Sequence, residues 1–502
     1  MQLNKVLLHL ALRSFLPGAL LVLAFAPFEF YWLAFPLLAI VFHAWEKLSL
    51  RYAFLHGFVF GLGLTLFGLF WLSVSIGQFG GVSTPLAILA TVLFATVVAV
   101  FYGLTAFVSI WIKQRFQLPR EVVILWLLPA VWTLFEILRS VIFTGFPWLS
   151  LGYTQTAYLT GSVATVGGVF LVSWLVALLA SLLVLISTSG RQLRILSLTI
   201  TTIVVLVSGL LQQLDWTEVN GKPIRVAIVQ GNIEQAEKWQ PDQLVPTIRL
   251  YEQLSFTVPS DLVVWPETAI PAFLHQVEDS VFKPLELKLQ KFNRQLVTGI
   301  PIWNDEKRVY YNSMISLGSR SDRYDKRHLV PFGEFMPLDQ WLRPVLDWLK
   351  IPLSDFRGGT AARPLLQVGD YQAGVSICYE DAFGRESIQA LPDADYLLNI
   401  SNDAWFGDSL APHQHLQMAR MRAVESQRYM VRATNTGISA IIDQRGVIKT
   451  RSPQYKTAVT DGDLQPLKGA TPYTFWGDWL VLLLMPTLIV AAILLVRSRA
   501  KD

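Results

Sequence analysis

The feature that most constrains this fold is a series of long apolar runs, because a helix that crosses a bilayer needs roughly 20 consecutive apolar residues. Eight such runs predict eight membrane spans, at residues 10–27, 29–46, 54–76, 85–112, 121–143, 163–187, 194–212 and 474–496. The composition agrees, since 16% of the residues are charged where a soluble domain carries about 25%. The net charge of +4 is small and is not clustered, so nucleic acid is not an expected partner.

The first two runs are the least regular, because Pro17, Pro27 and Pro36 interrupt them and the link between them is very short. This pattern favours a tight helical hairpin. The sequence Ala24-Phe25-Ala26 also resembles a signal-peptidase site, which makes a cleaved signal peptide the alternative. Pro27 follows directly and the next apolar run begins almost at once, which favours an uncleaved helix.

The charges of the short loops predict the topology. The loops at residues 77–84 and 144–162 contain no Lys or Arg. The basic residues that flank the other ends of the runs are Lys5, Arg13, Lys47, Arg51, Lys113, Arg115, Arg120, Arg191, Arg194, Arg497, Arg499 and Lys501. By the positive-inside rule these residues lie in the cytoplasm, so both termini are cytoplasmic and the segment before the last span lies on the opposite side.

Two ionisable residues, Glu136 and Arg139, fall near the outer end of the fifth predicted span. They are three residues apart and therefore share a helix face. One interpretation is functional, as for most ionisable groups at membrane depth. The other is an interfacial ion pair in which Arg139 extends towards the headgroups.

Residues 220–466 differ from the rest of the chain, because their apolar runs shorten to 4–7 residues and alternate with helical patterns. Strand candidates are Arg225–Gln230, Leu262–Trp265, Leu296–Ile300, Tyr311–Leu317, Gly374–Cys378, Tyr396–Ile400 and Gly437–Asp443, and helical patterns cover Gln243–Phe256 and residues 413–431. Alternating strands and helices predict a layered α/β domain. We therefore expect a seven-span domain at 1–219, an α/β domain at 220–466 and a final span with a cytoplasmic tail at 467–502.

Three short strings place polar residues just past strand-like runs, where layered α/β folds commonly place their chemistry. VVWPETAIP contains Glu267, YDKRHLVPFGEFMP contains Lys326 and Glu334, and GVSICYEDAFG contains Cys378. Taken one at a time, Glu267 also reads as a loop residue or helix cap, and Lys326 as a solvated loop charge with Glu334 as its partner.

Cys378 is the only cysteine, so it is either an inert packed thiol or a nucleophile. A nearby Lys326 would favour the reactive thiolate, and Glu267 could accept the thiol proton as general base. Lys326 or the backbone N–H of Tyr379 could stabilise the oxyanion of a tetrahedral intermediate. These residue types together indicate a thiol activated as a nucleophile.

Other chemistry has weaker signals. The sequence contains no HExxH, GxSxG or P-loop pattern. His413-x-His415 is a weak metal signal, and helix capping or surface packing is the preferred interpretation of it. No metal ion or organic cofactor is expected. A channel or transporter is disfavoured, because the predicted spans contain few ionisable residues.

The order Glu267, Lys326, Cys378 in these strings resembles the nitrilase superfamily, over residues 222–465. That superfamily folds as an α-β-β-α sandwich and uses a Glu-Lys-Cys triad to transfer acyl groups through a thioester. Further stretches resemble one of its membrane-bound acyltransferase branches: VQGNIEQAEKW at 229–239, KRHLVPFGEFMP at 326–337, NISNDAWFG at 399–407, QMARMRAVESQRYMVRATNTGISAIID at 417–443 and FTGFPWLSLGY at 143–153.

The resemblance implies a role for each matching residue. Glu267 is the base, Lys326 the oxyanion stabiliser and Cys378 the nucleophile. The supporting positions are Glu334, which positions the lysine or the substrate, Tyr379 and Glu380, which follow the nucleophile, and Trp239, which engages substrate.

The resemblance also implies the substrates and the compartment. A membrane phospholipid donates the acyl chain, and the acceptor is the N-terminal amine of a diacylglyceryl-cysteine apolipoprotein. The compartment is the bacterial inner membrane, with the α/β domain in the periplasm. The alternative is a membrane-tethered amidase or nitrilase that uses the same triad with water as the second nucleophile.

Residues 338–356, LDQWLRPVLDWLKIPLSDF, combine Trp341 and Trp348 with leucines and few charges. This composition is typical of an interfacial segment. The stretch therefore predicts either an arm that dips into the membrane and admits acyl chains, or an ordinary amphipathic helix packed on the domain. In the first case Trp341 and Trp348 would contact the lipid substrate.

Overall fold

The computed structural model describes residues 10–331, 333–335 and 356–499. Trp341 and Trp348 of the predicted arm lie outside the described residues. The chain divides into two compact units. One comprises the residues up to Ser73 together with Thr84–Leu214 and the chain from Trp476 onward, and the other comprises Val74–Ser83 and Asp215–Phe475.

The first unit is helical, and in the described residues six of its helices are long and apolar enough to cross a membrane. They are Leu50–Gly68, Thr84–Phe116, Arg120–Arg139, Leu159–Thr188, Arg191–Gln213 and Trp479–Ser498. Two shorter apolar helices, Ala11–Ala24 and Tyr31–Trp45, occupy the first two predicted runs. At about 1.5 Å per residue each falls short of the roughly 30 Å of a hydrocarbon core. The chain is a multi-pass membrane protein with six candidate spans.

The link after the third long helix is irregular and is anchored by the Glu136 and Arg139 side chains. It contains the 3-10 helices Ile142–Thr144, Leu151–Gln155 and Leu159–Val163. Arg139 donates to the carbonyl of Trp148 and, over 3.3 Å, to Ser150 Oγ. Glu136 Oε1 accepts from the Leu151 N–H at 2.9 Å. Both side chains are buried, so they bind the backbone of the link rather than extending towards headgroups.

The second unit is built on β-strands. In chain order they are β1 Thr217–Val219, β2 Ile224–Gln230, β3 Leu262–Val264, β4 Gln295–Asn304, β5 Val309–Leu317, β6 Asp322–Asp325, β7 Leu365–Val368, β8 Tyr371–Ile377, β9 Tyr396–Ser401, β10 Met430–Thr434, β11 Ala440–Ile442, β12 Ile448–Arg451, β13 Ala458–Leu464 and β14 Leu467–Gly469. Its main α-helices are Leu244–Leu254, Lys283–Lys291 and Ala411–Ser426.

Among the described residues these strands form two six-stranded sheets and one small ribbon of β1 and β14. The sheet orders are β13-β2-β3-β4-β5-β6 and β12-β11-β10-β9-β8-β7. The central neighbours β2-β3-β4 and β8-β9-β10 are parallel. The carboxyl ends of parallel neighbours lie at the same edge of a sheet, so the loops after β3, β8 and β9 are available for a shared site.

The two sheets pack face to face with helices outside them, which is the predicted α-β-β-α sandwich. Val226 and Val264 of one sheet share a buried cluster with Val375 and Leu398 of the other. On the outer face of the first sheet lie Tyr251, Leu285 and Leu289 of the helices Leu244–Leu254 and Lys283–Lys291. Leu416, Ala419 and Ala423 cover the second sheet from the helix Ala411–Ser426. Burial of each large side chain contributes about 1.5–3 kcal/mol, which fixes the face that each element presents.

The predicted helix at 413–431 is wrong at its end. The helix stops at Ser426, where Gln427 takes a left-handed conformation with φ 44°. The following residues enter β10, whose side chains are all buried. Met430 and Val431 satisfy the β-pattern of a strand buried on both faces, and this tertiary environment outweighs the helical continuation of the sequence.

The second unit also includes Val74–Ser83, which the sequence places between two candidate spans. The turn Ser75–Phe79 has π-helical hydrogen bonding. Ser75 Oγ donates to the Trp405 carbonyl at 2.7 Å. A Cβ on Gly407 would lie 2.8 Å from Val74 Cγ1, so this short segment packs tightly on the loop that follows β9.

Candidate active site

Cys378 is the first residue after β8 and opens the 3-10 helix Cys378–Ala382. Its φ is +53°, a region that non-glycine residues rarely occupy and that concentrates at functional sites. His415 Nε2 and Asn399 Nδ2 lie 3.2 and 3.4 Å from its carbonyl oxygen. These contacts hold a sharp turn from strand to helix, with the thiol at the strand end as the sequence predicts.

Glu267 follows β3 in a loop whose backbone is hydrogen-bonded to the neighbouring strand β4. Gly299 of β4 donates to the Pro266 carbonyl and accepts from the Ala269 N–H, each at 3.2 Å. A Cβ on Gly299 would lie 2.7 Å from Glu267 Cα, so the close approach of the two backbones requires glycine. The Glu267 side chain is buried as a result.

Lys326 follows β6 and is 1% exposed. Its backbone N–H donates to the Asn312 carbonyl at 2.8 Å. Its Nζ forms a 2.7 Å ion pair with Glu334 Oε2, which also accepts from the Val330 N–H at 2.8 Å. Glu334 is therefore a direct partner of the lysine, as the sequence predicts, and it orients the ammonium group.

Asn312 connects the two carboxylates of this site. Its Nδ2 donates to Glu267 Oε1 at 2.7 Å and to Glu334 Oε1 at 2.9 Å. An amide has two N–H donors, so one side chain fixes both acidic groups at once. Sequence reasoning missed Asn312, because it lies inside β5 and has the appearance of an ordinary strand residue.

The electrostatics of the site explain why the thiol needs a base. Burial and the carboxylates of Glu267 and Asp403 raise the pKa of the Cys378 thiol, and Lys326 and Ser401 oppose this only in part. The resting thiol therefore keeps its proton at neutral pH. Lys326 does lower the pKa of the thiol, in the direction expected from the sequence, but burial and the charge of Glu267 outweigh it.

Lys326 itself is a cation in this environment. Burial opposes its charge, but Glu334, Glu267 and Cys378 together raise the pKa of Lys326 above its ordinary value. A fixed ammonium group next to the nucleophile stabilises negative charge that develops during attack on a carbonyl.

Glu380 is buried, and its carboxylate is held by hydrogen bonds rather than open to a substrate. Its Oε1 accepts from the backbone N–H groups of Arg327 and His328 at 2.7 and 3.0 Å and from Tyr324 Oη at 2.9 Å. Its Oε2 accepts from the Ile377 N–H at 2.8 Å. Burial raises the pKa of Glu380. The side chain thus ties the segment that follows Lys326 to the strand that precedes Cys378.

Two further predicted residues flank the site. The ring of Tyr379 packs edge-on against His328 and Phe383, with ring centroids 5.8 and 5.1 Å apart. Trp239 is 52% exposed, so its indole is available to a substrate. Its neighbour Lys238 is buried, and Lys238 Nζ donates to the Glu267 carbonyl at 3.4 Å.

A cluster of four buried charges lies against the Cys378 turn, and we call it the buried quartet: Asp381, Asp403, His415 and Arg432. His415 Nε2 lies 2.8 Å from Asp381 Oδ1, and its Nδ1 lies 3.0 Å from Asp403 Oδ1. Arg432 pairs with the same two carboxylates at 2.9 and 3.0 Å. Burial and Arg432 oppose the charge of His415, but the two carboxylates outweigh them and raise its pKa to about 9.

The preferred interpretation of His413-x-His415 as capping or surface packing is therefore wrong for His415, which is buried beneath the nucleophile turn. Its partners come from separate segments, and the sequence offers no local sign of them. Within residues 10–331, 333–335 and 356–499, no group of three or more His, Cys, Asp or Glu is arranged to hold a metal ion.

Two protein families match this chain. The family "Carbon-nitrogen hydrolase" matches residues 225–473, and "Apolipoprotein N-acyltransferase N-terminal domain" matches residues 17–182. The first match covers the sheets and the candidate site, and the second covers most of the helical segment that precedes them.

Three relatives that align over more than 90% of this chain carry the same name. The "Apolipoprotein N-acyltransferase" of Methylococcus capsulatus is 43% identical over 466 residues, which cover 92% of this chain and 91% of that protein. The protein of the same name from Nitrosomonas europaea is 40% identical over 486 residues, 96% of each chain. The one from Azotobacter vinelandii is 39% identical over 470 residues, 92% of this chain and 90% of that protein.

Proposed function

The chain belongs to the apolipoprotein N-acyltransferase family, and on that premise we propose that Cys378 transfers a fatty acyl chain from a membrane phospholipid to an apolipoprotein through a thioester. The observation that supports this proposal most directly is the shared environment of three residues. The charges of Glu267 and Lys326 both act on the Cys378 thiol, at the ends of β3, β6 and β8.

In the first half of the reaction Glu267 accepts the Sγ proton and the thiolate attacks the ester carbonyl of the phospholipid. The oxyanion of the tetrahedral intermediate is stabilised by the Lys326 ammonium and the Tyr379 backbone N–H. The intermediate collapses to a thioester, and the leaving alkoxide of the lysophospholipid takes the proton from Glu267. The raised pKa of the thiol makes this base necessary.

In the second half the N-terminal amine of the diacylglyceryl-cysteine acceptor attacks the thioester carbonyl. Glu267 accepts a proton from the amine, and the Cys378 thiolate leaves as the amide forms. The thiolate is then reprotonated by Glu267, which restores the resting site. The reaction is thus a ping-pong sequence at one thiol, with no metal ion or organic cofactor in either half.

Three further residues support this two-step reaction. Glu334 holds Lys326 through the 2.7 Å ion pair. Glu380 fixes the turn at Cys378 through its contact with the Ile377 N–H. Trp239 follows Lys238 in the chain and has an exposed indole, suited to the apolar part of an acyl substrate.

The membrane arrangement follows from the loop charges. The first two of eight spans would be the shorter apolar helices Ala11–Ala24 and Tyr31–Trp45, since a bilayer accommodates a short apolar stretch by local thinning. The basic loops lie in the cytoplasm of a bacterial inner membrane, together with both termini. The domain at 220–466 then faces the periplasm, the compartment on the side opposite to the basic loops.

The test is the intact mass of the full chain purified from membranes, with and without hydroxylamine, alongside C378A. We expect an added fatty-acyl mass that hydroxylamine removes and that C378A lacks. A chain that carries no such adduct after incubation with phospholipid vesicles would contradict the thioester. A short adduct from a soluble amide in its place would favour the tethered amidase.

A further inference from the structure

The catalytic unit contains an open cavity of about 570 Å³ to which the reaction described above assigns no role. Its wall is formed by the loops that follow β2 and β9, by the turns between β10 and β11 and between β12 and β13, and by the segment Val74–Ser83 of the same unit. This volume lies within the range of about 300–1,000 Å³ that holds a drug-sized ligand. The cavity is therefore large enough for several residues of an extended peptide.

Hydrogen bonds between these loops hold the wall in place. Asn435 Oδ1 accepts from the Ile233 N–H at 3.0 Å, and Asn435 Nδ2 donates to the Ile233 carbonyl at 2.7 Å. The Tyr455 N–H donates to the Thr436 carbonyl at 2.9 Å. A wall that is formed before a ligand binds reduces the entropy cost of binding.

The wall offers hydrogen-bond donors and acceptors to a ligand. Gln78, Asn232 and Gln235 contribute amide side chains, and Tyr455 contributes a hydroxyl. Thr436 also lines the cavity, is only 4% exposed, and its Oγ1 has no hydrogen-bond partner among the described residues. An unpaired buried hydroxyl is costly, so this group is suited to a bond with a ligand. Amide and hydroxyl groups together complement the N–H and C=O groups of a peptide backbone.

The charge of the wall is negative. Glu234 and Asp408 both line the cavity, and none of the described lining residues is basic. Neither carboxylate forms an ion pair with another residue in the described part of the chain. Burial and the charges of Asp408 and Asp403 raise the pKa of the Tyr455 hydroxyl to about 12, which shows that negative charge acts on this wall. The cavity therefore favours a ligand with positive charge.

The cavity and the nucleophile have neighbours in common. Asp403, whose charge acts on Tyr455, also acts on the Cys378 thiol. Gln235 lies three residues before Lys238, whose Nζ donates to the Glu267 carbonyl at 3.4 Å. The part of a substrate beyond its reacting group therefore has this cavity nearby.

We propose that the cavity binds the first residues of the acceptor polypeptide, those that follow its lipid-modified cysteine, and that Glu234 and Asp408 favour acceptors with basic side chains at these positions. The inference rests on the proposed acyl transfer to an apolipoprotein and assigns the site that selects the acceptor. A phospholipid headgroup would leave most of the volume empty. A peptide accounts for the volume, the amide groups and the charge together.

The test uses the full chain in detergent, first loaded as the acyl-enzyme from phosphatidylethanolamine and then mixed with one of two diacylglyceryl-cysteinyl peptides. The peptides have equal length and carry either lysines or glutamates directly after the cysteine. Mass spectrometry follows the loss of the thioester and the gain of the amide. The variants are E234Q, D408N and the double variant. E237Q is the matched control, because Glu237 is an exposed residue of the same loop that does not line the cavity.

We expect the parent chain to use the lysine peptide about tenfold more efficiently than the glutamate peptide, because attraction of the first and repulsion of the second add. The difference should lie in KM rather than in kcat, since the cavity does not touch the reacting atoms. The double variant should bring the ratio close to one, and E237Q should keep the parent ratio. A parent ratio near one, or a ratio that the double variant preserves, would overturn the proposal.

The first half of the reaction distinguishes the peptide from the lipid donor. The double variant should form acyl-enzyme at the parent rate from vesicles of phosphatidylethanolamine and from vesicles of phosphatidylglycerol. Slower loading from phosphatidylethanolamine alone would assign the cavity to the ammonium headgroup of the donor and overturn the peptide assignment.

Binding of the same peptides to C378A separates this proposal from the function on which it rests. C378A needs no thioester to bind them, so the preference for the lysine peptide should be present there as well. Equal affinities of the two peptides for C378A would contradict the proposal, whereas failure of the thioester would appear only as a missing acyl adduct in the parent chain.

Discussion

At the scale of single residues, the site depends on one strained position and on the groups that hold it. Cys378 has φ +53°, and such a conformation costs about 1–3 kcal/mol for a non-glycine residue. The strain is sustained because its carbonyl is contacted by His415 and Asn399, while Glu380 binds the N–H of the preceding residue. A buried thiol in a fixed turn has little freedom to find a base, so the base has to be fixed as well. Asn312 provides that constraint for Glu267.

The first prediction concerns Asn312, which donates to Glu267 and Glu334. In N312D the aspartate cannot donate and adds a third carboxylate, so we expect acyl-enzyme formation to slow by about 10- to 100-fold, the equivalent of a lost buried hydrogen bond to a charged group. N304D is the matched control, because Asn304 accepts from the Lys307 N–H in a turn and keeps this bond as aspartate. The measurement is the rate of thioester formation by intact mass. Equal rates in N312D and N304D would contradict the role of Asn312.

At the scale of secondary-structure elements, the helix Ala411–Ser426 connects the outer layer of the sandwich to the nucleophile turn. Its apolar side chains Leu416, Ala419 and Ala423 cover the second sheet, while His415 points into the buried quartet and reaches the Cys378 carbonyl. The helix therefore both closes the core and positions the reactive residue. Because a buried pair is costly to break, removal of one member costs about 3–5 kcal/mol.

The second prediction is the pH dependence of stability that this histidine confers. The folded-state pKa of His415 is raised to about 9 above its unfolded value of about 6.5. Its contribution is therefore fully present below pH 6.5 and is lost as pH rises through 9. We expect H415Q to have a lower Tm at pH 7 and a smaller further loss by pH 9.5 than the parent chain. The lowered pKa of Lys238 acts in the opposite direction in both chains, and it cancels in the comparison. Parallel Tm curves would refute the assignment.

Elements differ in how far the sequence predicts them. The buried central strands β2, β3, β8 and β9 are short apolar runs, and all were predicted close to their observed bounds. Strands such as β6 and β12 mix charged and apolar residues, so only their sheet partners define them. The predicted helix at 413–431 overlaps the first two residues of β10, whose strand character depends on its position between β9 and β11.

The residues of the site also differ in how far the sequence predicts them. Glu267, Lys326 and Cys378 stand out because each follows a strand. Asn312 does not, because its role depends on which side chains meet after the sheets have formed. The quartet joins residues up to 51 positions apart, which no local pattern reveals.

At the scale of the whole molecule, each of the two units buries charged side chains. In the helical unit these side chains form hydrogen bonds to the backbone of an irregular link. Glu136 and Arg139, each 3% exposed, satisfy the Leu151 N–H and the Trp148 carbonyl of an irregular link. Buried irregular backbone requires such internal partners, because it has no water to bind. Burial of Arg139 contradicts the headgroup interpretation, and the functional interpretation stays a prediction.

The third prediction follows from this anchoring role. We expect R139A to lower the free energy of unfolding of the purified chain by about 3–5 kcal/mol, since it removes the charge near the buried Glu136 and the bond from Arg139 to the Trp148 carbonyl. R194A is the control, because Arg194 is exposed and also donates to a carbonyl, that of Ile186. Its effect should stay within about 0.5 kcal/mol. Tryptophan fluorescence during thermal unfolding in detergent measures both. A loss in R139A no larger than in R194A would contradict the anchor.

The segment Val74–Ser83 has a practical consequence for anyone who wishes to cut the protein apart. A fragment expressed from Asp215 to Phe475 would contain every catalytic side chain named above, yet it would lack a stretch of its own compact unit. The carbonyl of Trp405 would lose its donor Ser75, and Gly407 would lose the side chain of Val74 that packs on it. The loop that follows β9 would then lose these packing contacts. This loop also carries Asp403 of the quartet. A fragment that contains the whole catalytic unit therefore has to include Val74–Ser83 as well as Asp215–Phe475.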